Sequence, residues 1–122
     1  MPDGAMNWIE IPATDVEKQA QFYETVFGWS ITRSDSFPDY PMFRDKTGNV
    51  GGGFSPQWQP SETPGFVPHI QTDDMDGTLK KIEQNGGRVV QGKTPIPGTG
   101  HYALFTDPSG NQVGLHDDDI EE

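Results

Sequence analysis

The sequence predicts an α+β fold built from two tandem βαβββ modules, and three observations carry that prediction. Residues 40–54, YPMFRDKTGNVGGGF, match residues 102–116, YALFTDPSGNQVGLH, with six identities in fifteen ungapped positions at a shift of 62. Tyr40 falls on Tyr102, Phe43 on Phe105, Asp45 on Asp107, Gly48 on Gly110, Asn49 on Asn111 and Gly52 on Gly114. The halves upstream of these segments also align, at an offset of 59, placing Trp8 on Val67, Glu10 on His69, Asp15 on Asp74 and Gly28 on Gly87. Both halves then read in the same order of strand, helix and three strands. A period of about half the chain marks two copies of one unit. With 122 residues, the chain is expected to be one domain, 1–122, made of module one (5–56) and module two (65–117).

Module one opens with MNWIEIP, an alternating strand. Thr14 and Glu17 have capping-box spacing and predict a helix start. Val16, Ala20, Tyr23 and Phe27 recur at helical spacing as its buried stripe, and Gly28 suits the left-handed residue that ends it. Three strands follow, WSITRS, YPMFRD and NVGGGF, the last two joined by a Gly- and Asn-bearing turn over 45–49. The connector SPQWQPSETPG, residues 55–65, is proline-rich and contains Trp58. Module two repeats the order: a strand over 66–72, a helix capped by Asp73 with Met75, Leu79 and Ile82 inward, a stop at Asn85-Gly86-Gly87, then RVVQG, HYALFTD and NQVGLHD.

Composition narrows the function classes. Nineteen acids against eight bases give a net charge of −11, which excludes a phosphate-backbone partner such as nucleic acid, since that needs a basic face. Five of the acids, Asp117, Asp118, Asp119, Glu121 and Glu122, form a solvated tail, and the rest of the excess suits either solubility or a cationic ligand. With no cysteine, neither a disulfide framework nor thiolate metal ligation is available. No apolar stretch reaches membrane-spanning length and the start MPDGAMNW has no signal-peptide pattern, so a cytoplasmic protein without a membrane partner is expected.

The tandem pattern resembles the vicinal-oxygen-chelate superfamily, which includes glyoxalase I, bleomycin-resistance proteins and extradiol dioxygenases. The segment from Asp15-Val16-Glu17-Lys18 through Phe22-Tyr23 to Phe27-Gly28 is similar to that family's helix motif, and Phe105-Thr106-Asp107-Pro108-Ser109-Gly110-Asn111 to its hairpin-turn motif. Trp8-Ile9-Glu10, Gly51-Gly52-Gly53 and the proline-rich middle resemble a glyoxalase-like branch. The resemblance implies that two curved mixed sheets form a cup holding a small-molecule site, and that the chain is a homodimer.

In metal-dependent members, the first and last strand of each module project His or Glu into the cup, and the metal acts as a Lewis acid on the substrate. Carried over by alignment, those four positions fall on Trp8, Gly52, Val67 and Gly114, whose side chains cannot ligate a metal. No cofactor is therefore expected. A divalent metal displaced by one dipeptide step is the alternative, because side chains two apart share a strand face: Glu10, His69 and His116 would be its ligands, with Phe54 at the fourth such position. Each also has a plainer reading, Glu10 as a local cap, His69 as a hydrogen-bonded histidine and His116 as an exposed one. His101, next to Tyr102 and after the Gly98-Thr99-Gly100 loop, is either an acid–base group or an ordinary loop histidine, while the repeat makes Tyr102 a core residue like Tyr40.

Trp8, Phe54, Val67, His69 and His101 are thus the candidate ligand-binding residues of an apolar, aromatic-walled pocket. The leading expectation is metal-independent binding of a small organic molecule, by analogy with the bleomycin-resistance type. The alternative is a lyase, isomerase or dioxygenase using the displaced metal or metal-free acid–base chemistry. A third reading has Trp8 filling the cup as core, leaving only a dimer surface.

Overall fold

The computed structural model describes Asp3, residues 6–57 and residues 66–120. Trp58 and the rest of the connector's middle lie outside the described residues. The chain divides into two compact units, Met1–Pro60 and Ser61–Glu122.

In the first unit, β1 (Ile9–Pro12) leads to α1 (Val16–Phe27), then β2 (Ser30–Ser34), β3 (Phe37–Arg44) and β4 (Gly51–Ser55). The sheet order is β1-β4-β3-β2, with β1 parallel to β4 and the other pairs antiparallel. Helix α1 is uninterrupted by Gly or Pro, and its N-cap is Asp15 rather than Thr14, the Asp15 carboxylate accepting from the Lys18 N–H at 3.1 Å. Gly28 ends it at φ 70°, its N–H donating to Glu24 and Tyr23 carbonyls. Ala20 and Tyr23 are buried as the stripe predicts, while Val16 and Phe27 are half-buried and Gln19 and Phe22 join the core. Beneath the helix the aromatic rings form a continuous stack: Tyr23 on Trp29 (4.5 Å), Trp29 on Phe43 (4.7 Å) and Tyr23 on Phe54 (5.6 Å).

The second unit repeats the plan with β5 (His69–Gln71), α2 (Met75–Gln84), β6 (Arg88–Ile96), β7 (Gly100–Thr106) and β8 (Gln112–Asp117), in sheet order β5-β8-β7-β6. The cap of α2 is Asp74, not Asp73; its carboxylate accepts from the Gly77 N–H. Asn85 closes the helix. Met75 and Ile82 of the helix are buried, as are Ala103, Phe105, Val113 and Leu115 of the sheet, and Leu79 is half-buried.

The hairpin turns of the two units differ in length, which breaks the ungapped repeat. In the first unit Asp45 N–H bonds Val50 O, whereas in the second Asp107 N–H bonds Asn111 O, so the first turn holds one more residue. Phe43 then pairs with Gly52, but Phe105 pairs with Val113 and Leu104 with Gly114. A slip of one residue exchanges the faces of a strand. Gly52 lies under Phe43 on the helix-facing side of its sheet, and the partner of Gly114 in the other module is Gly53.

Candidate functional site

The strand face opposite the helix is polar and aromatic in both units. In the first, Glu10 pairs with Gly53 and Gly53 with Met42. Tyr40 lies on this face with its ring directly over Gly53, where a Cβ would overlap the phenol carbons and hydroxyl. The absence of a side chain at Gly53 is what seats the ring. Trp8, just before β1, donates its indole N–H to the Tyr40 hydroxyl at 2.8 Å, and that hydroxyl donates to Glu10 Oε2 at 2.7 Å. The chain Trp8–Tyr40–Glu10 fixes an indole, a phenol and a carboxylate on one surface. Burial raises the Tyr40 pKa; the Trp8 N–H works the other way, but the Glu10 carboxylate adds to the rise. A shallow hollow of about 230 Å³ adjoins the chain, lined by Trp8, Thr32, Met42, Phe43 and Arg44. Trp8 is 40% exposed, so it stands at the surface rather than filling the core of its unit.

In the second unit the equivalent face carries His69, Gln71, Tyr102, Gly114 and His116. The imidazole of His69 lies over Gly114 as the Tyr40 ring lies over Gly53. Gln91 donates to the Tyr102 hydroxyl at 2.7 Å. His116 Nδ1 stands 3.9 Å from Asp118 Oδ1, and Gln71 Nε2 donates to Asp118 Oδ2 at 3.1 Å. Val67, half-buried, precedes β5. A larger hollow of about 460 Å³ lies between α2 and β6, lined by Leu79, Lys80, Glu83, Gln84 and Val89. It holds none of the aromatic or histidine side chains of the strand face and is a surface groove beside the helix.

Two of the expected ligand-binding residues do not reach these faces. Phe54 is fully buried, stacked on Tyr23 and 5.0 Å from Phe43, because strand alternation turns it toward the helix. His101 is 1% exposed and lies in the core of the second unit, across from Asp117. Its Nδ1 is 3.0 Å from Asp117 Oδ1, and its backbone N–H donates to the same oxygen at 2.8 Å. Burial alone would raise the Asp117 pKa, but the His101 imidazole and the Asp119 and His101 N–H groups outweigh it and hold the carboxyl below its ordinary value. This buried pair ties β7 to β8, so His101 is neither a loop histidine nor a residue of the strand face.

The metal positions divide in the same way. Trp8 and Gly114 lie on or beside the strand face, Val67 precedes it, and Gly52 faces the helix. None supplies a donor. Gly53, the position that shares the face with Glu10, supplies none either, and its space is taken by Tyr40. Among the described residues no group of three or more His, Asp or Glu side chains is arranged to hold a metal ion. The residues present do not make the donor set of the metal-dependent members.

Tyr40, Tyr102 and Arg44 were not singled out as site residues by the sequence. The signal for the tyrosines is the period-two pattern: Tyr40 and Met42 alternate with buried Pro41 and Phe43, as Tyr102 and Leu104 alternate with buried Ala103 and Phe105.

Comparison with known proteins gives the context of this geometry. Anthracycline biosynthesis protein DnrV of Streptomyces peucetius is 29% identical over 122 residues, covering 88% of this chain and 44% of that protein. Mycobacterium tuberculosis CFP32 is 28% identical over 118 residues, covering 92% of this chain and 45% of that protein. The chain thus spans less than half the length of these relatives. A glyoxylase-like domain-containing protein of Didymella fabae is 30% identical over 115 residues, covering 88% of this chain and 89% of its own. Among solved structures, TnmS3, an antibiotic binding protein from a Streptomyces species, superposes with a TM-score of 0.71 at 24% identity, covering 97% of this chain and 98% of its own. A Burkholderia phytofirmans family enzyme gives 0.76 at 18%, covering 92% and 97%. Residues 5–115 match the family model itself, and the chain belongs to the Glyoxalase/Bleomycin resistance protein/Dioxygenase superfamily.

Proposed function

We propose that this chain binds a small organic molecule without the metal used by catalytic members of its superfamily, in the inter-module cup expected of the fold. The observation that carries the reading is the Trp8–Tyr40–Glu10 chain. It presents an aromatic surface with a few oriented polar groups, which is the usual make-up of a small-molecule site. Two hydrogen bonds hold that surface in place before any ligand arrives, which lowers the ordering cost of binding. Val67 and His69, their repeat mates, and Tyr102 are assigned the corresponding wall in module two. That TnmS3 binds an antibiotic and DnrV belongs to anthracycline biosynthesis supports a small organic ligand. The reading includes a homodimer and a cytoplasmic location. Among the described residues no helix is long and apolar enough to cross a membrane.

Untagged protein treated with a chelator tests the proposal. Aromatic probes are expected to bind it as tightly as untreated protein, and Trp8→Ala to weaken them. A requirement for added zinc, manganese or iron sinks it. One observation favours a second reading, a metal-dependent lyase, isomerase or dioxygenase: His69 and His116 lie on the same strand face, two register steps apart on neighbouring strands. Stoichiometric metal in the purified protein, lost on His69→Ala, would select that reading.

A further inference from the structure

The geometry points to an oxyanion, a carboxylate in the first instance, as the polar head of the ligand, held by the Arg44 guanidinium at the edge of the Trp8 hollow. This deepens the small-molecule reading and rests on it. The net charge of −11, by contrast, favours a cationic ligand at long range.

Arg44 ends β3, between Ser30 and Gly51 in the sheet. Its guanidinium folds back over Gly51, with Cζ and Nη1 3.0 Å from where a Cβ would stand. A side chain at position 51 would crowd that pose, so the glycine makes room for it. The exposed arginine of module one's other edge, Arg33, is paired with Glu17 at 2.6 Å. The Arg44 side chain, in contrast, makes no hydrogen bond or ion pair with any described residue, and neither does the Thr32 hydroxyl in the same hollow. Two sets of donors therefore flank a surface whose remaining walls are Trp8, Met42 and Phe43. A planar guanidinium fork matches a carboxylate in two parallel hydrogen bonds, and the indole and thioether take an apolar or aromatic body.

Glu10, on the same face, accepts from the Tyr40 hydroxyl and pairs with Gly53, two residues along β4 from Gly51. That spacing is about 7 Å along a strand. Asp45, the residue after Arg44, turns its carboxylate to the Thr47 hydroxyl and the Gly48 and Val50 N–H groups of the hairpin turn. Exposed charges more than about 8 Å apart are screened at physiological salt. A contact ion pair at Arg44 is not screened in that way. Local charge therefore sets the preference, and the acidic surface serves solubility.

Three probes of one shape test this: naphthoate, naphthylmethanol and naphthylmethylamine, titrated into the full chain by calorimetry. Naphthoate is expected to bind about tenfold tighter than the alcohol, the scale of a charge-assisted bidentate contact. Arg44→Gln should erase that preference, costing the acid about tenfold more than the alcohol, while Arg44→Lys keeps part of it. Because the Arg44 side chain has no hydrogen-bond or ion-pair partner among the described residues, both variants are expected to fold, and circular dichroism checks this. Equal affinities for acid and alcohol, tightest binding of the amine, or an acid preference that survives Arg44→Gln would overturn the Arg44 inference alone. No binding of any of the three would overturn it together with the small-molecule reading.

Discussion

Replacing Gly53 with alanine puts a methyl group where the Tyr40 ring now lies. The new Cβ would overlap Cζ, Cε2 and the hydroxyl of that ring. The backbone of β4 is held by Glu10 on one side and Met42 on the other, so the ring moves instead, out toward solvent. Two hydrogen bonds go with it, the 2.8 Å bond from Trp8 and the 2.7 Å bond to Glu10. Each contributes about 0.5–1.5 kcal/mol, and the substitution recovers about 0.4–1 kcal/mol by restricting the unfolded chain. The net cost is about 1 kcal/mol, or a fall in Tm of about 3–6 °C for a domain of this size. Thermal unfolding followed by circular dichroism reads the stability. Titration of tyrosinate absorbance reads the mechanism, because the elevated pKa of Tyr40 should drop toward the ordinary value once the ring leaves its place. The sign of the pH dependence follows. Folded Tyr40 holds its proton more tightly than the unfolded chain does, so its contribution is complete below the ordinary tyrosine pKa of about 10 and is lost as pH rises through the folded value. A Gly53→Ala protein as stable as the parent, with the tyrosine titration unmoved, would refute this account of the face.

Gly92→Ala is the matched control: nothing lies within 4 Å of its Cβ and its φ is not positive, so stability should hold or rise by about 0.4–1 kcal/mol in urea unfolding. Phe54→Ala should cost about 3–5 kcal/mol in urea unfolding, as a core truncation does, and lower ligand affinity only as far as folding is lost. Asp117→Asn should cost about 1.5–3 kcal/mol by removing a charged acceptor from His101 and Asp119. In the parent protein that carboxylate's contribution is present above the unfolded aspartate pKa of about 3.9 and is lost as pH falls through its lower folded value, visible as acid unfolding that the variant does not share. Asp107→Ala should cost about 1–3 kcal/mol, since its buried carboxylate accepts from the Ser109 and Asn111 N–H groups and the Asn111 amide.

The elements were legible in the sequence because each half repeats the other and each signal is local. A glycine after Phe27, helical spacing of Ala20 and Tyr23, and the Asp-to-Asn turns are all decided within a few residues. The faces of the last strands were less legible. The six identities suggested an ungapped match through Gly52 and Gly114, yet the extra residue in the first turn moves the equivalence to Gly53. The apolar residues carried the correction: Phe54 aligns with Leu115, both buried, at a shift of 61. Where identity and burial alternation disagree, alternation decides, because the core tolerates no one-residue slip. Of the site, Trp8, Glu10 and His69 were found from the old metal positions, but the tyrosines that organise the face were read as core. A phenol joining an indole 32 residues away to a carboxylate 30 residues away has no local signature. His101 misled for a similar reason: the Gly98-Thr99-Gly100 segment before it suggested an exposed loop, while Asp117, 16 residues on, pulls it into the core.

Metal independence is the central claim, and binding of naphthoate to untagged, chelator-stripped protein tests it most directly, with amide and indole shifts followed by NMR. The account predicts shifts at Trp8, Met42 and Arg44, with an affinity that neither chelator nor added metal changes and that Trp8→Ala weakens. Binding that appears only when zinc, manganese or iron is restored, and disappears with His69→Ala, would contradict it.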